Sequence, residues 1–289
     1  MLRMFKDPKY QGPLPKTRLE QFFDIVHFNW RSLMLLSLLT FLFFIPLIIW
    51  MYISTIVDSA LYAEIIKYGD DVPSELFNQL KTQTTINILV YTPAIAISFV
   101  GLSGMLGSLK KLIYREITDL PIDFFVSIKK NWLASLLLGI VYGLSITSIS
   151  FSNLFFNESV MWNIVGIILI VIISIFFLYS ICLNVFYTET ITSLLFNSFI
   201  LLIVRIPFNL ISMTIITLPV LFVVFLPKIL GITIMIILYL FIWAGFGVLS
   251  FEINAVSAFD KFINKNSFPN NYKKGLVNKD GKENSEYSL

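Results

Sequence analysis

The sequence predicts an all-α membrane protein of about six transmembrane helices, with amphipathic helices along its cytoplasmic face. Three observations carry that reading. Hydrophobic residues make up 57% of the 289 residues and charged ones 13%, with a mean hydropathy of +0.82. A water-soluble domain needs roughly a quarter charged residues to cover its surface, so lipid must be the outer solvent. Finally, the apolar residues fall into runs near the ~20 residues that cross a bilayer, and basic residues gather between alternate runs.

Along the chain, 32–57 reads as the first span, 85–109 as the second, 133–151 as the third and 160–187 as the fourth. The stretch from Ile191 to Phe251 is too long for one or two ordinary spans. Pro227-Lys228 interrupts it, giving spans at 206–226 and 229–251. Ile191 to Arg205 is then an apolar helix lying in the interface or leaning into the bundle. The alternative is one long tilted helix from Ile191 to Leu226, kinked at Pro207. A polar loop, 58–84, separates the first two spans. The membrane domain therefore covers 32–262, after an N-terminal arm at 1–31 and before a tail at 263–289 rich in Asn, Lys, Gly and Ser, expected to be disordered. The first apolar run follows a polar segment and carries no small-residue cleavage site, as expected of a retained anchor.

Loop charges set an expected orientation. Arg3, Lys6, Lys9, Lys16, Arg18 and Arg31 precede the first span, whereas the next loop carries Asp58, Glu64, Asp70, Asp71 and Glu75. Lys110, Lys111, Arg115, Lys129 and Lys130 follow the second span, and the short loop at 153–159 has no basic residue. Under the positive-inside rule both termini lie in the cytoplasm of a plasma membrane. Trp30 and Trp132 would then mark the inner interface, and Trp50 and Trp162 the outer one.

One element is repeated. Phe22-Phe23 precedes Asn29-Trp30 by the same interval that separates Phe124-Phe125 from Asn131-Trp132, each just before a span. At helical spacing Leu19, Phe23, Val26 and Trp30 form an apolar stripe, matched by Pro121, Phe125, Ile128 and Trp132. Thr118-Asp119-Leu120-Pro121 reads as a helix start. Both segments are expected to be amphipathic arms on the inner leaflet that turn into a span at Asn-Trp. With Ile191 to Arg205 as a third arm, the chain becomes three parallel units of arm plus hairpin. Phe23, Trp30, Phe125 and Trp132 are the candidate partner-docking anchors.

Arg205 is the main candidate for an intramembrane polar site, because an arginine deep in an apolar run needs a partner, a cavity or the interface. Asn209 and Glu252 are grouped with it, and Glu189, Asp123 and Glu252 are its possible acidic partners. An arginine snorkelling to headgroups at the end of its span remains the plainer alternative. Gly101, Gly104 and Gly107 form a row on the second span suited to close helix packing. Asn157-Glu158-Ser159 fits a glycosylation sequon. The single Cys182 excludes an internal disulfide and a cysteine-rich metal site, and the single His27 excludes a histidine cluster. No phosphate loop, zinc helix or nucleophile elbow is present, so no enzyme, metal or cofactor is expected. A net charge of +3 is too small to suggest nucleic acid.

These residues resemble the YesL-like family of bacterial membrane proteins of unknown function. Phe23-Asp24-Ile25 and Asn29-Trp30 leading to Ile45-Pro46 match its opening. Gly101, Gly104 and Gly107 running into Lys110-Lys111 and Arg115-Glu116 match its basic segment. Asp123-Phe124-Phe125 followed by Ile128-Lys129-Lys130-Asn131-Trp132 is the most specific match. The resemblance implies a multi-helix bundle and an accessory or assembly role beside carbohydrate uptake systems, with ABC-type sugar transporter subunits as partners. The alternative is a transporter or channel in its own right, with a site near Arg205.

Overall fold

The computed structural model describes residues 14–68, 72–116, 119–152, 160–187 and 190–277, almost all of them helical. Six helical stretches are long and apolar enough to cross a bilayer: Trp30–Tyr68, Ser74–Ile113, Leu120–Ser150, Ile164–Phe186, Ile206–Phe225 and Lys228–Ser267. The chain is thus an all-α, multi-pass membrane protein. Thr17 caps α1 (Arg18–Phe28) by accepting from the Glu20 amide, as short hydroxyl side chains do at helix starts. Two long helices follow, α2 (Trp30–Tyr68) and α3 (Ser74–Ile113), then α4 (Leu120–Ser152) and α5 (Val160–Phe186). The last third is more broken, with α6 (Ile191–Val204), α7 (Ile206–Thr217), α8 (Leu221–Phe225), α9 (Lys228–Leu238), α10 (Ala244–Phe259) and α11 (Lys265–Ser267). Five-residue π-helical turns at Tyr239–Trp243 and Asp260–Asn264 flank α10.

The polar stretch 58–84 is not the loop expected. α2 runs on to Tyr68 and α3 begins at Ser74, so nearly all of it is helix. At about 1.5 Å per residue these two helices far exceed a hydrocarbon core of about 30 Å. Leu76 is buried, and Asn87 donates to Asp58 at 3.4 Å, pinning the two together beyond the apolar core.

Arm and span recur three times, and a break between them twice. In the first unit the helix breaks at Asn29 (φ −118°, ψ 26°), and in the third at Arg205 (φ −118°, ψ 22°). Both residues keep their amide on the carbonyl four positions back, and both carbonyls accept from the residue four positions on. The second unit departs from expectation because α4 passes straight through Asn131. There the amide side chain donates to the Ser127 carbonyl at 3.0 Å and lies near its hydroxyl, which holds the helical turn. The equivalent neighbour of Asn29 is the apolar Ile25, and Asn29 Nδ2 has no hydrogen-bond partner among the described residues. Buried positions nonetheless match, with Gln21, Ile25 and Asn29 in one arm corresponding to Asp123, Ser127 and Asn131 in the other. Between 191 and 226 the chain is a separate arm followed by a span, not one continuous kinked helix.

The glycine row sets the closest helix contacts. A Cβ on Gly101 would strike Phe43 of α2, one on Gly104 would lie 2.9 Å from Ile128, and one on Gly107 would overlap Ser127. The second arm therefore lies directly on α3, where Ser127 donates to the Ser103 carbonyl at 2.8 Å. Replacing Gly104 by Leu should destabilise the protein in detergent by about 1–3 kcal/mol, the usual cost of overpacking. Gly166→Ala, whose Cβ would meet only Ile149 at 3.7 Å, should leave the thermal midpoint unchanged or slightly raised.

Candidate functional site

A buried network of charged and polar side chains gathers at the end of the bundle that carries the arms. Arg18, on the first turn of α1, is 8% exposed and reaches Asp260, 242 residues away, through Nε at 3.0 Å and Nη2 at 2.7 Å. Its Nη1 donates to Gln21 Oε1 and to the Lys274 carbonyl. The π-helical turn turns Asp260 and Asn264 inward together. Asp260 accepts from Asn264 Nδ2 at 2.9 Å and the Lys273 amide at 3.1 Å, and Tyr187 donates to Asn264 at 2.6 Å.

This network overturns the expected disorder of the tail as far as Val277. Residues 265–267 are helical, and the following segment folds back until the Val277 amide meets the Pro15 carbonyl at 3.1 Å. Both described ends of the chain thus meet at one end of the bundle. Composition suggested disorder because the segment has few apolar residues. Backbone hydrogen bonds to Arg18, Gln21 and Asp260 order it instead, and the remainder, 278–289, lies outside the described residues. Gly275 is required here, since its φ is +80° and a Cβ would strike the Ile113 carbonyl. Beside it Tyr114 is 3% exposed, and burial together with the nearby Asp260 carboxylate pushes its phenol above the ordinary range.

Among the described residues, the side chains of Arg205, Asn209 and Glu252 make no hydrogen bond or ion pair to one another. Arg205 is half-buried and donates to Ser257 Oγ at 2.7 Å, with its guanidinium 5.0 Å from the Phe208 ring centre. Among the described residues no carboxylate lies within ion-pair distance of it. Asp123 pairs instead with Lys111, and Glu189 lies outside the described residues, as do Asp70, Asp71 and the sequon at 157–159. Asn209 is 1% exposed, accepting from Tyr179 at 2.7 Å and Asn254 at 3.0 Å while donating to the Leu202 carbonyl at 3.1 Å. It caps carbonyls that the break at Arg205 leaves open.

Glu252 is fully buried elsewhere, with both carboxylate oxygens lacking a hydrogen-bond partner among the described residues. The cation acting on it is Lys110, whose Nζ is held by the Val185 and Phe186 carbonyls at 3.2 and 3.3 Å. Asn87, near Asp58, belongs to the opposite end of the bundle.

The aromatic anchors face outward. Phe23 is 61% exposed and Trp30 52%, and Phe125 and Trp132 are each 51% exposed. The stripes are narrower than expected, because Val26 and Ile128 pack against the core. Reading every apolar residue at three- and four-residue spacing as one face was too coarse for helices that also bury a polar face.

Sequence spacing picked out the exposed aromatics and the glycine row but not the contacts of Arg18, Gln21, Asp260 and Asn264. The one local signal was a polar residue at Gln21, in helical register with Asn29. The fold and this site define a polytopic helical membrane protein built from three arm-and-hairpin units. Compared with known proteins, the chain matches no family model, no curated protein and no solved structure at a significant level.

Removing one partner of a buried ion pair strands the other. Arg18→Ala should cost about 3–5 kcal/mol and expose Lys273 and Lys274 to trypsin in the detergent-solubilised protein, visible as loss of the C-terminal peptide by mass spectrometry. Glu252→Gln should instead raise stability by about 1 kcal/mol, because an amide is less costly to bury unpaired than a carboxylate. Thermal unfolding at neutral pH measures it.

Proposed function

We propose that this protein is a non-catalytic membrane partner, an accessory or assembly factor of a transport system that docks through its arm end. The observation that carries the reading is the matched pair of outward aromatics. Phe23 and Trp30 on one arm, and Phe125 and Trp132 on the other, stand clear of the bundle while the polar undersides are fixed to it. Beside them Pro121, Ile122, Phe125, Val126 and Lys129 line a shallow apolar depression of about 380 Å³. Aromatic anchors on a rigid base are what a binding surface needs.

The lysines and arginines at this end support a cytoplasmic arm face and a bacterial plasma membrane. The resemblance to YesL-like proteins supports a carbohydrate ABC-type transporter as the partner. A transporter centred on Arg205 has less support, because Arg205 and Asn209 are engaged with Ser257, Tyr179 and Asn254.

Affinity purification of the tagged protein in mild detergent from sugar-grown cells tests the proposal. Transporter subunits should co-purify with the wild type and drop at least several-fold with Phe125→Ala/Trp132→Ala. Recovery of no transporter subunit, or equal recovery with the double variant, would count against it.

A further inference from the structure

An arginine at a helix break in a membrane protein needs an anion, and among the described residues the chain supplies Arg205 with none. Its Nη2 donates to Ser257 Oγ at 2.7 Å. Nε is buried without a partner, whereas Nη1 makes no hydrogen bond among the described residues and is not sealed from the surface. Asp260, three residues beyond Ser257, is turned inward onto Arg18 at 2.7 Å and does not serve.

Two further groups stand beside this guanidinium. Ser257 accepts the arginine's bond, which leaves its own proton free to donate. Lys261 lies four residues on, and residues at that interval are neighbours on one helical face. It is exposed, because the π-helical turn that sends Asp260 inward leaves Lys261 outside. Two cations and a hydroxyl thus share one side of the last span.

Their depth is that of lipid headgroups. The break at Arg205 matches the one at Asn29, which is followed at once by the half-exposed Trp30, and Trp132 follows Asn131 in the same way. Tryptophans gather at the headgroup level. Around Arg205, the apolar side chains of Ile203, Val204, Ile206 and Phe208 are about half exposed, a surface for acyl chains. The anion that comes attached to acyl chains is a phosphate, and a guanidinium meets a phosphate with paired N–H donors.

We infer that Arg205, Ser257 and Lys261 form a headgroup site for an anionic phospholipid. The guanidinium and the hydroxyl hold the phosphodiester, and Lys261 favours a lipid of net negative charge. A zwitterionic lipid brings its own ammonium beside the phosphate, and Lys261 repels it. Basic pockets between spans bind anionic headgroups on the same principle.

Native mass spectrometry of the full chain in detergent, titrated with phosphatidylglycerol or phosphatidylethanolamine of matched acyl chains, tests the site. The wild type should retain phosphatidylglycerol at least several-fold more tightly, at one saturable position. Arg205→Gln/Lys261→Gln should bring that retention down to the phosphatidylethanolamine level. Lys16→Gln/Lys130→Gln removes the same charge from exposed positions elsewhere at the arm end and should leave it unchanged. Equal retention of the two lipids by the wild type, or an equal effect of the two double variants, would overturn the inference. The comparison of lipids is made on the wild type and stands even where a variant fails to fold.

Discussion

Carbonyls at helix ends that are buried inside the protein have no water to accept from, so something else must donate to them. In this protein side chains from neighbouring helices do it. Gln21 of α1 donates to the Ile113 carbonyl at the end of α3, and Lys110 of α3 to Val185 and Phe186 at the end of α5. Asn209 of α7 donates to Leu202 at the end of α6. Gln21 thus closes the last helix of its own unit, Lys110 a helix of the next unit, and Asn209 a helix across a break. The packing of the arm end follows from that need as much as from apolar contact, which in lipid offers little driving force between helices.

The same logic explains how three similar units diverge. Asn29 and Arg205 occupy equivalent breaks with nearly the same backbone angles, yet only one is basic. In the second unit the helix is intact and Asn131 donates to the Ser127 carbonyl. A one-residue difference, Ile25 against Ser127, thus accompanies a turn in one arm and a straight helix in another.

Much of the architecture was legible in the sequence. Hydropathy alone gives the spans, because a bilayer sets their length, and the interval between Phe-Phe and Asn-Trp gives the repeat. What sequence could not show was contact between distant positions. Arg18 and Asp260 read as ordinary charges near opposite ends of the chain, and nothing local marks them as a pair. The same holds for the tail, whose order comes from long-range partners and not from its own composition. Arg205 stood out because a charge in an apolar run is conspicuous. Tyr179 and Ser257, which share its neighbourhood, look like routine residues of apolar helices.

The ion pair between Arg18 and Asp260 has a consequence for biosynthesis. Arg18 leaves the ribosome before the six apolar helices and Asp260 near the end of the last of them. Throughout insertion, the first arm carries a guanidinium without its carboxylate, and α3 ends in a carbonyl that Gln21 caps beside a tail not yet synthesised. The arm end can assume its final form only once translation has passed Gly275. The bundle is therefore threaded into the membrane in sequence order, but the arm end is locked only after the six apolar helices have been made.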